Sequence, residues 1–370
     1  MNKKTLSIPL AALLAISGSF FCPSTMALEI KENPYDSYCR TPILEQFGEI
    51  DRTQTVTING IENPLYCTFT DNDAALEKLK DSVPEILSEI SEKFSLGELN
   101  ANNWKSYKYG ALSLPETSKF ADEANEQRRT LAQFFDIYED VEKNESIELE
   151  LAKIRKHDSL SQEQIISLGM LLPSHAPLAE QSQDIIMARN QIGTLSLPNL
   201  NAAISYAQTY AVNPNTNGYG IAKGGFLNLI EMDCTNFVSQ ILEASGVSQA
   251  VYNVDTMGWW HRKNGNNHTY SVSWINSDTF ARYMGVGYTS TNNHLNFSRN
   301  ITTGDFITYD ETNNGSWDHM AFVTDMGSEL CYQNGTYRDY KVAQHTTNYH
   351  KWAHETAWPT VAAKYGRVRR

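Results

Sequence analysis

Apolar residues in the first half of the chain recur at the three- and four-residue spacing of amphipathic helices. One series spans residues 75–94, a second spans 120–138, and a third starts with a capping signal at 161–164 and ends before Pro173. Pro84 lies within the first series, where it predicts that one helix stops and another begins, with residues 82–85 forming a capping box. This half is therefore predicted to be helical, with its acidic residues on the exposed faces.

The pattern changes after residue 200. Residues 200–210 predict one short helix, and apolar, β-branched segments later predict strands at 304–309, 319–324 and 340–344. A helix followed by antiparallel strands favours an α+β fold.

Charge divides the chain at the same place. Residues 28–200 carry 30 acidic and 16 basic side chains, whereas residues 201–370 carry 13 and 12. We therefore predict an acidic helical domain at 28–196 and a second domain at 197–370. The net charge of −13 disfavours nucleic acid as a partner, because phosphate binding needs an excess of Lys and Arg.

The first 27 residues have the features of an export signal. Two lysines precede an apolar run, and small residues close it at the cleavage site. The run is too short and too interrupted for stable membrane insertion, which predicts a secreted or periplasmic protein. In an oxidising compartment Cys39 and Cys67 are expected to form a disulfide. Cys234 and Cys331 then remain as thiols in the mature chain.

The sequence around Cys234 predicts a reactive thiol. Asp233 occupies the position of a helix N-cap, and the apolar residues at 237, 238, 241 and 242 form one face of the helix that follows. Cys234 then lies in the first turn, where free amide groups and the helix dipole stabilise a thiolate. His319 starts a predicted strand after a polar loop, and it is the best candidate for the base that such a nucleophile needs.

Several motifs in the second half occur in a known order. The runs Asp-Cys-Thr-Asn-Phe-Val-Ser-Gln at 233–240, Gly-Asp at 304–305, Asp-His-Met-Ala-Phe-Val-Thr at 318–324 and Gln-His-Thr at 344–346 resemble the bacterial putative amidase domain. That domain is similar to the NlpC/P60 and CHAP groups of papain-like cysteine hydrolases. The resemblance covers residues 198–370 and implies a nucleophile-bearing helix packed on an antiparallel sheet that bears the histidine.

The resemblance also implies roles for individual residues. Cys234 is the nucleophile and His319 the general base, and the bond attacked is an amide in a cell-wall peptide or another peptide. Hydrolysis and acyl transfer to an amine would use the same residues. No metal or cofactor is expected.

Further site residues are predicted besides Cys234 and His319. His345 is assigned as the polar residue that orients the His319 ring, with Asn334 and Asn348 as alternatives. Three residues are assigned to substrate binding, namely Asp233, Trp260 and Asp318. Asp233 could instead only cap the helix, and Asp318 could only fix the end of the strand.

Two other classes of function are open. His350 and His354 are four residues apart and could hold zinc on the face of a helix, although the glutamate of a zinc protease motif is absent. The chain could also be a non-catalytic surface- or cell-wall-binding protein that retains the fold.

The acidic helical domain could inhibit the second domain, dock a substrate or act as a scaffold. The oligomeric state does not follow from the sequence.

Overall fold

The two halves of the chain differ in architecture in the computed structural model. The described residues are 39–40, 42–113, 123–154, 160–190, 197–224, 230–231, 233–291, 293–332, 335–356, 358–359 and 363–368. The predicted leader at 1–27 and the predicted domain boundary at residue 196 lie outside them. Within the described part of the chain, no helix is both long enough and apolar enough to cross a membrane.

Helices make up most of the described first half, in agreement with the spacing of its apolar residues. They are α1 (Pro42–Glu45), α2 (Asn72–Ser82), α3 (Pro84–Phe94), α4 (Trp104–Ser113), α5 (Glu123–Ile154), α6 (Gln162–Leu171) and α7 (Pro177–Asn190).

Two small antiparallel strand pairs interrupt these helices, and the sequence analysis did not predict them. One joins β1 (Ile50–Asp51) to β4 (Thr68–Phe69), and the other joins β2 (Thr55–Ile58) to β3 (Ile61–Pro64). Asn59 and Gly60 form the turn between β2 and β3, and both have positive φ, 51° and 78°. An Asn-Gly pair is a strong local signal for such a two-residue hairpin turn.

Two helix starts test the predicted capping signals. α6 begins after Ser161, which forms a complete capping box as predicted. α3 begins at Pro84, also as predicted, but its N-cap is Val83 and no side chain caps it. The capping box predicted at the start of α3 is therefore wrong. Ser82 still belongs to α2, and its hydroxyl donates back to the carbonyl of Lys78.

A six-stranded antiparallel sheet dominates the second half, which confirms the α+β class. Its strand order is β13 (Tyr349–Trp352), β12 (Gly335–Gln344), β11 (His319–Tyr332), β10 (Phe306–Asp310), β14 (Lys364–Val368) and β9 (Val286–Thr291). Two small pairs join β5 (Lys223–Gly224) to β6 (Ile230–Glu231) and β7 (His261–Asn264) to β8 (Asn267–Tyr270). The helices of this half are α8 (Leu200–Tyr210), α9 (Thr216–Tyr219), α10 (Cys234–Ala244), α11 (Val272–Ile275), α12 (Ser277–Met284) and α13 (His294–Ser298).

Both faces of the sheet are covered by apolar side chains. Successive residues of a strand point to opposite faces. Phe306 and Phe322 accordingly pack on one face together with Phe237 of α10, whereas Ile307 and Val323 join a separate cluster on the other face. Helix α10 is therefore anchored to the sheet by its apolar side, and its N-terminal residue lies against the start of β11.

Arg282 of α12 links the second half to the first. Its buried guanidinium donates to the carbonyl groups of Gly169, Met170 and Leu172 at the end of α6. Cationic donors stabilise the last carbonyls of a helix, which have no partner within the helix. Residues 33–370 group into one compact unit, so both halves belong to it.

The cysteines lie in different environments. Cys39 and Cys67 are both buried in the apolar cluster of the first half, together with Phe47 and Phe69. Cys331 is exposed on β11. The disulfide between Cys39 and Cys67 stays a prediction.

Candidate active site

Cys234 is the first residue of α10, and its side chain is buried at the N-terminus of that helix. Phe237, Val238 and Ile241 pack into the core beneath it, so the first turn of the helix has a fixed orientation. Cys234 itself is only 4% exposed. The predicted placement of this thiol in the first helical turn is confirmed.

His319 is the first residue of β11, also as predicted. Its carbonyl accepts a hydrogen bond from Oγ1 of Thr308 at 2.7 Å. The carbonyl of the preceding residue, Asp318, accepts from Oγ of Ser277 at 3.2 Å. The imidazole ring packs against the ring of Tyr309, with the centroids 5.2 Å apart. The backbone and the ring of His319 are thus both held in place by contacts with neighbouring elements.

Cys234 and His319 contact each other in the structure. Burial of the thiol acts to raise its pKa, but the charge of the His319 ring and its hydrogen bond to the sulfur act in the opposite direction. Hydrogen bonds from Thr235 and from the amide of Met320 add to that effect. The balance lowers the pKa of Cys234 from 9.0 to about 6. At neutral pH the sulfur is therefore mainly a thiolate, which is the nucleophilic form.

Two hydroxyl groups lie beside the sulfur. Oγ1 of Thr235 is 3.6 Å from Sγ of Cys234, Oγ of Ser277 is 3.7 Å from it, and the two hydroxyl oxygens are 3.0 Å apart. Ser277 was not found by sequence reasoning. Its local signal is only that of a helix start, since it follows Asn276, the N-cap of α12. A helix-start signal does not indicate that the first residue of α12 lies beside Cys234.

His345 lies next to helix α10, but it does not take up the orienting role predicted from the resemblance. Its Nδ1 is 2.6 Å from Oδ2 of Asp233, and its Nε2 is 2.8 Å from the carbonyl oxygen of Tyr210. The ring is fully buried and stacks on Phe237 at a centroid distance of 3.8 Å. Both ring nitrogens are therefore occupied by groups other than the His319 ring.

Asp233 is held entirely by internal contacts. Besides its contact with His345, its Oδ1 accepts from the amide of Ala222 and from the side chain of Asn236, both at 2.7 Å. It is 1% exposed, and its side chain makes no capping bond to α10. This geometry does not support the predicted substrate contact of Asp233, because its oxygens are already satisfied.

Trp260 and Asp318 are also occupied within the fold. Nε1 of Trp260 donates to the carbonyl of Met257 at 2.9 Å, and the residue is 5% exposed. Oδ2 of Asp318 accepts a hydrogen bond from the amide of Glu311 at 2.7 Å. A substrate-binding role for these two residues stays a prediction that the geometry does not favour.

Of the two asparagines predicted as alternatives to His345, the structure describes only Asn348. Asn348 lies in the turn between β12 and β13, and its buried Oδ1 has no hydrogen-bond partner among the residues that the structure describes. Asn334 lies outside the described residues. The identity of the residue that assists His319 therefore stays open.

His350 and His354 do not share a helix face, so the alternative of a zinc site on a helix, raised by their spacing, is wrong. His350 lies in strand β13, where its Nε2 is 2.8 Å from Oγ1 of Thr324. His354 lies in a 3₁₀ turn, where its Nδ1 is 2.7 Å from Oδ2 of Asp339. Among the described residues, no group of three or more His, Cys, Asp or Glu side chains is arranged to hold a metal ion.

Comparisons with known proteins concern the second half. Residues 198–366 match the family described as "Putative amidase domain". The "Uncharacterized protein YjcM" of Bacillus subtilis (strain 168) is 29% identical over 155 residues, which is 40% of this chain but only 30% of that protein. No solved structure gives a significant match. The half that carries Cys234 and His319 is thus similar to a family whose description indicates hydrolysis of amide bonds.

Proposed function

We propose that this chain is a cysteine-dependent amide hydrolase, with Cys234 as nucleophile and His319 as general base and acid. The observation that carries the proposal is the contact between these two side chains, which lowers the pKa of the thiol to about 6 although the thiol is buried. The amidase match of residues 198–366 supports the amide as the bond attacked.

The chemistry follows from the two side chains and the helix end. The Cys234 thiolate attacks the carbonyl carbon of the amide and forms a C–S bond, and the carbonyl oxygen becomes negatively charged. Free backbone amide groups at the N-terminus of α10 favour that charge. The C–N bond then breaks as protonated His319 gives its proton to the leaving amine. Water, deprotonated by His319, hydrolyses the thioester and restores the thiolate.

The substrate class that we propose is a peptide amide outside the cytoplasm, such as one in a cell-wall peptide. This part rests on the export signal predicted at residues 1–27. It also rests on the motif at 233–240, which resembles the putative amidase domain, a domain similar to the NlpC/P60 and CHAP hydrolases. Transfer of the acyl group to an amine would use the same first step and differ only in the acceptor.

The test is turnover of peptide amides, including soluble cell-wall fragments, by the mature full-length chain. We expect Cys234→Ser and His319→Gln each to lose at least about a hundredfold in rate, because each removes one partner of the nucleophile–base pair. Cys331→Ser is the matched control, since this thiol is exposed and lies on the same strand as His319.

The products separate the possible reactions. Free acid as the product indicates hydrolysis, and an amide of added amine indicates acyl transfer. Wild-type turnover that survives unchanged in Cys234→Ser would contradict the proposal. Ligand binding without turnover would favour the non-catalytic alternative.

A further inference from the structure

Helix α5 of the first half contacts the segment that leads into His319. We call residues 311–318 the His319 loop, since they connect β10 to β11. Oδ2 of Asp136, in α5, accepts from Oγ1 of Thr312 at 2.8 Å and from Nδ2 of Asn314 at 2.9 Å. Nη2 of Arg128, two turns earlier in α5, donates to Oε1 of Glu311 at 2.6 Å.

These contacts are shielded from water. Arg128 is 9% exposed, and Asp136 and Glu311 are each 6% exposed. Removing one partner of a buried ion pair, or of a hydrogen bond to a buried carboxylate, strongly destabilises the protein, because the other partner stays buried without compensation. The contacts therefore fix the His319 loop against α5 more firmly than surface pairs of the same geometry would.

The His319 loop is also stiffened from within. Asp310 accepts from the amides of Asn314 and Gly315, at 3.1 and 2.9 Å, and Oδ1 of Asn314 accepts from the amide of Ser316 at 2.7 Å. Oδ2 of Asp318 accepts from the amide of Glu311 at 2.7 Å and so ties the end of the loop to its start. Glu311 is therefore bonded directly to Asp318, the residue that precedes His319, so a displacement of Glu311 acts on the position of His319.

We propose that Asp136 and Arg128 are positioning residues for His319, so that the helical half completes the active site of the other half. The inference rests on the proposed function of the Cys234–His319 pair. It assigns the helical half a scaffolding role in catalysis. It also disfavours a removable inhibitory segment, because removal of α5 would release the loop that sets the position of the base.

The test measures the pH dependence of iodoacetamide labelling at Cys234 in the mature full-length chain, with the site identified by mass spectrometry. The double variant Arg128→Met/Thr312→Val removes two of the three hydrogen-bonded contacts between α5 and the His319 loop, and leaves only that of Asn314 with Asp136. We expect the labelling midpoint to rise from about 6. Labelling at pH 6 should be about tenfold slower, which corresponds to a rise of more than one pH unit. The reason is that a displaced His319 ring no longer lowers the pKa of the thiol as strongly, whereas burial still raises it.

The conservative pair Arg128→Lys/Thr312→Ser should restore most of the wild-type midpoint, since it keeps a cation and a hydroxyl. Ser167→Ala is the matched control, because Oγ of Ser167 in α6 donates to Oγ1 of Thr256 at 2.8 Å and thus joins the same two halves elsewhere. Its midpoint should equal that of the wild type. Thermal unfolding of each variant shows that the chain is folded.

A folded double variant with the wild-type midpoint would overturn the inference. If the double variant does not fold, Thr312→Val alone must still raise the midpoint, and an unchanged value there overturns it as well. A wild-type midpoint near 9 is a separate result. It would overturn the proposed function itself, because the Cys234 thiol would then not be activated.

Discussion

Nδ1 of His345 lies 2.6 Å from Oδ2 of Asp233, the residue that immediately precedes Cys234. The two residues are 112 positions apart in the chain, and both are almost completely buried. The other ring nitrogen of His345 bonds the carbonyl of Tyr210 at the end of α8. One histidine thus joins the end of β12, the end of α8 and the start of α10.

The first prediction concerns this contact. His345→Ala should lower the free energy of unfolding by about 2–3 kcal/mol, because it leaves Oδ2 of the buried Asp233 carboxyl group without its hydrogen-bond partner. Urea unfolding of the mature chain measures the change. His354→Ala is the matched control, since Nδ1 of His354 lies 2.7 Å from Oδ2 of Asp339 while its side chain is 48% exposed. It should cost less than about 1 kcal/mol. Equal losses in the two variants would contradict the prediction.

The second prediction concerns the pH dependence of the reactivity of the Cys234 thiol. Iodoacetamide labelling of Cys234 should have its midpoint near pH 6 in the wild type. His319→Gln removes the charge and the hydrogen bond that lower the pKa of the thiol and leaves the burial that raises it. The hydrogen bonds from Thr235 and Met320 remain, so the midpoint should rise by about two units, to about 8. A midpoint that stays near 6 in this variant would show that His319 does not activate the sulfur.

The third prediction concerns stability against pH. Burial, with a smaller contribution from the charge of Asp136, raises the pKa of Asp310 from 3.8 to about 7, although the amides of Gly315 and Asn314 act to lower it. A carboxyl group with a raised pKa favours the folded state in its protonated form. Its contribution is complete below pH 3.8 and is lost as the pH rises to about 7.

Asp310→Asn should flatten this part of the pH dependence. The free energy of unfolding by urea is to be measured between about pH 4 and about pH 8 in the wild type, in Asp310→Asn and in Asp325→Asn. Asp325 is exposed on β11 and serves as the control, which should keep the wild-type slope. Identical slopes in all three chains would show that Asp310 is not the group that titrates.

The fourth prediction concerns the junction of the two halves. Arg282→Met should lower the free energy of unfolding by more than about 3 kcal/mol, because three carbonyl groups of α6 lose a charged donor in a buried place. Arg262→Met is the control. The Arg262 side chain is exposed and donates to the carbonyl of Tyr252 at 3.0 Å, so its loss should cost less than about 1 kcal/mol. A small effect of Arg282→Met would mean that the two halves are held together elsewhere.

Much of the local structure could be predicted from the residues themselves. Helix α8 spans 200–210 as predicted, Cys234 starts a helix, His319 starts a strand, and Ser161 closes a capping box. These features depend on neighbours within a few positions, so periodicity and capping chemistry are sufficient to recognise them. The missed hairpin at Asn59 and Gly60 belongs to the same class, since its signal was present in the sequence.

The partners of the site residues could not be predicted in this way. His345 contacts Asp233 instead of orienting His319, Ser277 reaches the sulfur from the start of another helix, and Asp136 binds a loop 176 positions away. The amino-acid sequence by itself determined which residues can be nucleophile and base and on which elements they lie. Only the tertiary structure decided which buried polar groups satisfy one another. The reason is that hydrogen bonds form between groups that packing brings together, and the spacing of residues along one chain does not contain that information.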